Sequence, residues 1–423
     1  MMIQTPSLLN KYFYIWALAL PITSFLLIPS IQGTTIGYLM AFLSVAVVFV
    51  LAVTRMDLRH TLNEQLVQLF LFLLAYVTCN LIAQAGLLVN HGIDFTQVRL
   101  VEDRDTGYAF KNSLFTQSIY LFAAIFTFFF VKTFYQPSWN RCILAGAVLL
   151  AAYGMYEWVY FQLFHRNGDF LTNRVFNGHV SGSLFQTTKL FGWEVMRLKS
   201  LTGEPSMYAF TVLPFWIFAI HLRKTAVHLL LLLTLILSTS TTAYIGIFLY
   251  FMLRLLYSRF KDKSPFVVAW ALALISAANY QIVVRIYEML FASKLDSHSA
   301  MMRSSMFQNH LNFYLELPFL HKLFGVGFGY IRSSDMFTTL LNNLGLVGLL
   351  AFTALFMIPV FKLRNDEMGK GLKFALIVLF VCMMTSVPEF AYLPTWLFLG
   401  VAYWRLAAGS SQADTRRTPL VKV

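Results

Sequence analysis

Two arginine-centred stretches hold the residue types best suited to chemistry. The first is Arg197-Leu198-Lys199-Ser200-Leu201-Thr202-Gly203-Glu204-Pro205-Ser206. A guanidinium is a planar fork that donates two parallel hydrogen bonds to phosphate oxygens, and an ammonium adds a compact point charge. Arg197 and Lys199 therefore suit an anionic ligand such as a diphosphate. Pro205 favours a helix start, with Glu204 or Ser206 as its cap, and the helix N-terminus adds partial positive charge there. Glu204 can orient the arginines or take a proton. The second stretch is Met301-Met302-Arg303-Ser304-Ser305, followed by Leu317-Pro318 and by Gly325, Gly327 and Gly329. Glycines on alternate positions permit sharp turns and close backbone approach. No Gly-Lys-Ser/Thr follows and no βαβ pattern surrounds them, so they form neither a Walker loop nor a dinucleotide fingerprint. Asp335, His298 and His310 are the other candidate bases. Asp103 and Asp105 flank Arg104 in a solvated charge cluster that can also belong to a substrate cleft. No spacing of His, Cys or acids suggests a metal or a cofactor.

These residues must be positioned by membrane helices. The chain has 423 residues, of which 58% are hydrophobic and only 12% charged. A soluble domain carries about 45–50% apolar and about 25% charged residues, and soluble cores stop growing near 250–300 residues. The apolar surplus must face lipid. A net charge of +13 in a soluble protein would suggest nucleic acid. Here it fits the basic cytoplasmic loops of a membrane protein, and no nucleic-acid partner is expected. Cys79, Cys142 and Cys382 lie in or beside apolar runs and read as small hydrophobes.

A spanning helix needs about 20 mostly apolar residues. The apolar runs predict twelve helices, at 12–30, 35–53, 65–87, 113–133, 141–163, 207–221, 226–239, 241–257, 264–284, 338–361, 372–387 and 391–407. Ser238-Thr239-Ser240-Thr241-Thr242 joins the seventh and eighth as a hairpin or re-entrant turn, whose hydroxyls can satisfy freed backbone groups. With the N-terminus inside, every short inside connection is basic: Arg55 and Arg59, Lys132 and Arg141, Arg223 and Lys224, Arg254 to Lys263, and Lys362 to Lys373. The short outside turns at 31–34, 238–242 and 388–390 carry no Lys or Arg. Both termini are thus expected in the cytoplasm. The fold expected is an all-α polytopic membrane domain over 1–423, with large outer loops at 164–206 and 285–337. The latter is expected to form short helices over a cleft.

The outer loops carry more cations than acids. Arg166, Arg174, Lys189, Arg197 and Lys199 lie in one, and Arg285, Lys294, Arg303, Lys322 and Arg332 in the other. A cationic outer vestibule attracts an anionic ligand. A transporter would favour internal repeats and ionisable groups within its spans, and the apolar runs are nearly free of charge.

Four features together resemble the O-antigen ligase/polymerase superfamily, bacterial enzymes acting on undecaprenyl-diphosphate-linked glycans. They are the Arg197 to Ser206 run opening a helix, the stretch Leu237-Ser238-Thr239-Ser240-Thr241-Thr242-Ala243, Arg303 followed by Pro318 and the 324–329 glycine run, and Ser333-Ser334-Asp335-Met336-Phe337 leading into Leu344-Gly345-Leu346-Val347-Gly348. The motifs cover 190–350, and the topology covers the whole chain. The resemblance implies a metal-independent glycosyltransferase of the bacterial inner membrane that joins lipid-linked oligosaccharides to make O-antigen or exopolysaccharide. It also implies the lipid-linked oligosaccharide and membrane lipid as partners, with a flippase and a chain-length regulator beside it. Arg197 and Arg303 match the family's functional arginines, with Lys199 in support at the diphosphate and Glu204 or Asp335 as the base. Ligases of this kind carry a histidine near the end of the late loop, where this chain has Ser333-Ser334-Asp335. That departure favours polymerase, with ligase and flippase as alternatives. The basic residue with a glycine eleven positions on, found in some polymerases, is absent, since those positions hold Tyr208 and Tyr314.

Overall fold

The structure is a computed structural model that describes residues 7–29, 31–90, 92–102, 108–175, 184–190, 193–258 and 298–417. The expected helix at 264–284 and the pair Asp103 and Asp105 lie outside the described residues. The chain runs α1 (Ser7–Ala19), α2 (Ile36–Thr54), α3 (Met56–Val89), α4 (Asn112–Phe134), α5 (Asn140–Phe164), β1 (Thr187–Leu190), β2 (Trp193–Met196), α6 (Pro205–His221), α7 (Thr225–Leu237) and α8 (Thr241–Tyr257). It continues through α9 (His298–Glu316), α10 (Phe319–Phe324), α11 (Met336–Lys362), α12 (Glu367–Thr385) and α13 (Leu393–Arg417). Among the described residues β1 and β2 form the only sheet, an antiparallel hairpin with Thr187 opposite Met196. This is an all-α membrane protein. Among the described residues six helices are long and apolar enough to span a bilayer: α2, α3, α4, α5 with the turn before it, α11 and α12.

Each of the other eleven predicted helices is present, with shifted ends. The first stops at Ala19 rather than reaching residue 30, because Pro21 has no N–H to continue the ladder. Leu26 instead bridges Thr35 in extended conformation. The helix expected at 65–87 begins at Met56, nine residues early. The late loop contains one short helix, α10, and a longer one than expected, α9, of 19 residues.

Packing is aromatic and close. Phe13 stacks on Trp139 at 3.8 Å between ring centres, with Phe130 and Trp16 around them. Helices in lipid gain little from hydrophobic burial against one another, so close backbone approach matters more. At Gly400 on α13 an added Cβ would sit 2.8 Å from Val131 of α4, and a larger residue would part these two helices.

The described residues of the connections at 20–29, 31–35, 92–102, 108–111, 165–175, 197–204, 238–240, 317–335 and 386–392 gather at one end of the bundle. Thr23 N–H donates to Leu201 O, Arg174 Nη1 to Thr23 O, and Tyr38 OH to Ala391 O. Leu100 bridges Ile331 there as well. The opposite end is basic: Lys373 meets Tyr257 and Asn365, and Arg405 pairs with Asp366.

The Gly325 to Gly329 run is a clamp between α3 and α11. Gly345, inside α11, has φ 64°, and an added Cβ would lie 2.3 Å from the Leu323 carbonyl. Reciprocally, a Cβ on Gly325 would lie 2.2 Å from the carbonyl carbon of Asn343. Gly325 N–H goes to His321 O, Val326 N–H to Asn342 O, Gly327 N–H to Asn343 O, and Phe328 N–H to Asn80 Oδ1. Asn343 Oδ1 takes the N–H groups of Tyr330 and Ile331, while Gln84 Nε2 donates to Val326 O. These amides are spent on protein acceptors, so the run is not a phosphate cradle. Asn80 and Gln84 on α3 are there to satisfy it, as buried polar groups in lipid must be satisfied.

Candidate active site

Arg197 is placed by the β-hairpin and by a short helical hairpin. Helices α7 and α8 have 13 and 17 residues, so at 1.5 Å per residue they rise only about 20 and 25 Å. Their turn, Ser238-Thr239-Ser240, is buried. Arg197 follows β2 directly, and its N–H extends the strand ladder to Gln186 O at 2.9 Å. Leu198 N–H then bonds Leu237 O at 3.1 Å, so the segment is tied to the α7 end. The guanidinium donates from Nε to Thr239 Oγ1 at 3.0 Å, from Nη2 to Thr239 O at 3.4 Å and from Nη1 to Gln186 Oε1 at 2.6 Å. A guanidinium has five N–H donors, which leaves two for a ligand.

Glu204 stands at the mouth of α6. Its backbone is extended (φ −144°, ψ 158°) before Pro205, its side chain makes no cap bond, and Ser206 Oγ donates to its Oε1 at 2.5 Å. The carboxylate is half-buried. Burial lowers the proton affinity of Arg197. Glu204 opposes that, and Arg303 adds to it. Arg197 nevertheless stays charged. Glu204 and Arg303 thus both lie within electrostatic reach of one guanidinium, although Arg303 is 106 positions away in the chain. Arg303 is exposed on α9, tethered through its backbone O by Ser334 Oγ at 3.4 Å.

The structure places the other expected site residues elsewhere. Lys199 is fully buried between Asp169 Oδ2 at 2.5 Å and Glu157 Oε1 at 3.5 Å. Its ammonium is consumed by an internal ion triad and does not face a ligand. Burial pushes Asp169 up, but Lys199 and Thr172 outweigh it and hold the carboxyl below its ordinary value. The triad also positions the loop, since Glu157 Oε2 accepts from Ser200 N–H at 3.2 Å. Asp335 is the N-cap of α11. It accepts from Thr338 N–H at 2.8 Å, Thr338 Oγ1 at 2.9 Å and Ser333 Oγ at 3.1 Å. Buried and so occupied, it reads as a cap rather than a base. His310 is buried, its Nδ1 faces Met306 O at 2.7 Å, and burial lowers the ring's proton affinity. The His298 side chain lies outside the described residues. Among the described residues, no three His, Cys, Asp or Glu side chains converge as a metal site.

A separate cavity of about 820 Å³ is lined by none of Arg197, Glu204 and Arg303. Its mouth carries Arg174, Arg332 and Glu389, the last two paired at 2.6 Å. Asn173 places Arg174 by exchanging bonds with the Leu26 backbone, accepting at 2.7 Å and donating at 2.9 Å. Arg332 is set by its N–H to Arg99 O at 3.0 Å. Tyr392 joins the two regions. Burial raises its phenol far above the ordinary value, with Glu389 adding and Arg174 opposing, and Glu204 also within reach. In the sequence Arg174 and Arg332 are two of the ten cations of the large outer loops, and no local motif singles them out. The usable signal was Glu389, an acid in an otherwise uncharged hairpin at 386–392. The chain matches no protein-family model, and no characterised protein and no solved structure matches it.

Proposed function

We propose that this protein is a metal-independent glycosyltransferase that polymerises undecaprenyl-diphosphate-linked oligosaccharides, as O-antigen or exopolysaccharide, on the outer face of the bacterial cytoplasmic membrane. In this reading twelve spans leave both termini in the cytoplasm, and the basic end of the bundle faces inward. The observation that supports it most is that Glu204 and Arg303, from distant parts of the chain, both lie within electrostatic reach of Arg197 at the other end. An acceptor sugar hydroxyl attacks the donor's anomeric carbon and gives its proton to Glu204. The new glycosidic C–O bond forms as the old C–O bond to phosphate breaks, and the electron pair leaves on the diphosphate. Displacement from the opposite face inverts the anomeric centre. Arg197 and Arg303 stabilise the charge that develops on the leaving group, which is the part of such a reaction most in need of fixed positive dipoles.

The test is deletion of the gene, with surface glycans resolved on a gel and the lipid-linked pool measured alongside. Loss of long chains while single units still reach the surface supports the polymerase. Long lipid-linked polymer accumulating untransferred identifies a ligase instead. Single units trapped on the inner leaflet identify a flippase, and an unchanged profile removes this reading altogether.

A further inference from the structure

Gln117 and Tyr120 lie three positions apart on α4, so they share one face of that helix, and both line the outer end of the cavity. Arg332 and Glu389 line the same end from two outer connections and pair at 2.6 Å. The pair keeps hydrogen-bonding capacity. It uses one guanidinium nitrogen and the Oε1 atom of Glu389, so other donors and the Oε2 lone pairs stay available. The Gln117 amide adds donors and an acceptor, and the Tyr120 hydroxyl one donor and an acceptor. Donors and acceptors are thus mixed around one end of the cavity. That mixture suits a ligand with several hydroxyls, since each hydroxyl both donates and accepts. Aromatic faces stand among these groups: the rings of Tyr38 and Tyr120 both line the cavity and lie 5.7 Å apart. They offer an apolar surface to the C–H face of a sugar ring.

The charges at this end favour an uncharged ligand. Arg332 and Glu389 neutralise each other, and Arg174 is already engaged with the protein, donating to Thr23 O at 3.0 Å. An anion bound at Arg332 would meet the carboxylate of Glu389. Tyr392 is the independent observation. It lines the cavity at 3% exposure, and among the described residues its hydroxyl has no hydrogen-bond partner. Buried hydroxyls are normally satisfied, so this one points to a ligand oxygen. Its ring packs on Phe210 of α6 at 5.7 Å between centres, and α6 is the helix whose mouth holds Glu204.

We infer that the outer end of the cavity is a sugar subsite, which takes one uncharged pyranose with its hydroxyls on Arg332, Glu389, Gln117 and Tyr392 and an apolar face on the Tyr120 ring. The polymerase reading is needed only for the occupant's role: the sugar belongs to the acceptor, held on the α6 side toward Glu204. Contacts of this kind hold the acceptor equally before and during the reaction, so they set KM more than kcat.

The full-length protein in nanodiscs is mixed with the methyl pyranosides of glucose, galactose, mannose and N-acetylglucosamine. Saturation transfer from protein to sugar protons is measured against empty nanodiscs, with methyl glucuronide and glycerol as comparators. At least one neutral pyranoside should take up saturation more strongly than either comparator. Glu389→Ala and Gln117→Ala should each weaken its binding about tenfold, and a partly exposed ion pair adds little to folding. Tyr392→Phe should weaken binding without lowering the melting temperature, because it removes no hydrogen bond within the protein. A merely structural phenol would give the reverse. Transfer to no pyranoside, preference for the glucuronide, an equal signal from glycerol, or binding unmoved by all three substitutions would overturn the inference. No lipid-linked substrate is present, so failure here leaves the deletion test intact, and an unchanged surface profile there leaves the binding result standing.

Discussion

Arg197 holds both the hydroxyl and the carbonyl of Thr239, a β-branched residue at φ 45°. Left-handed backbone is disfavoured for such a residue, and strain of this kind persists only where its surroundings over-determine it. Ser200, three residues beyond Arg197, is likewise at φ 51° and is pinned by Glu157. The arginine is thus fixed on two sides before any ligand arrives. Arg197→Ala should lower polymer formation on the order of 10²–10³-fold. Arg197→Lys should fail to restore it, because an ammonium cannot span Thr239, Gln186 and a phosphate together. Both are read as in vitro chain extension with purified protein. Activity restored by lysine would leave only a point charge in the mechanism.

Glu204 and Lys199 lie five positions apart and should behave oppositely. Glu204→Gln should leave membrane abundance and melting temperature near normal while abolishing extension. Lys199→Met leaves two buried carboxylates without a cation, which costs about 3–5 kcal/mol, so its signature is poor abundance. Asp335→Ala should cost about 0.5–2 kcal/mol through loss of the cap and retain extension per folded molecule. Measuring melting and extension on the same preparations separates the three.

The ion triad also sets an acid limit. The folded-state carboxyl of Asp169 lies below its ordinary value. Its contribution is therefore fully present above the unfolded value of about 3.9 and is lost as pH falls through the lower folded one. Melting temperature in detergent should fall below about pH 4, and Asp169→Asn should flatten that fall at the cost of lower stability near neutrality. An unaltered acid limb in the variant would show that other groups govern it.

At Gly345, alanine meets two obstacles, the positive φ and a carbonyl 2.3 Å from the new Cβ. The conformational part alone costs about 1–2 kcal/mol. Gly345→Ala should reduce folded protein, whereas Gly92→Ala, where a Cβ meets nothing within 4 Å, should be silent.

Reporter fusions in the connections at 165–204 and 317–335 should give outside signals. A cytoplasmic signal from either would put Arg197 or Arg303 on the wrong side of the membrane for this chemistry.

Continuous apolar runs made most helices legible, because a spanning segment announces itself by length and composition alone. Arg197, Glu204 and Arg303 could be singled out because each sits in a distinctive local run. Lys199 could not be read correctly, since its fate depends on Glu157 and Asp169, 42 and 30 positions away. Asp335 was legible as a cap from the Ser-Ser-Asp before a helix, a local rule that competed with the search for a base. Arg174 and Arg332 look like any loop cation until tertiary contacts bring Glu389 and Tyr392 beside them.

Two apolar helices with lipid-exposed residues, α7 and α8, have only 13 and 17 residues. Beside them a bilayer of ordinary thickness must thin locally or let headgroups sink toward the site, at a fraction of a kcal/mol per ångström of mismatch. On the proposed function, a sunken outer surface would bring the phosphates of lipid-borne substrates down to Arg197, so their sugars need not be lifted out of the membrane. Turnover would then depend on the acyl-chain length of the host membrane, with thicker bilayers opposing the dip.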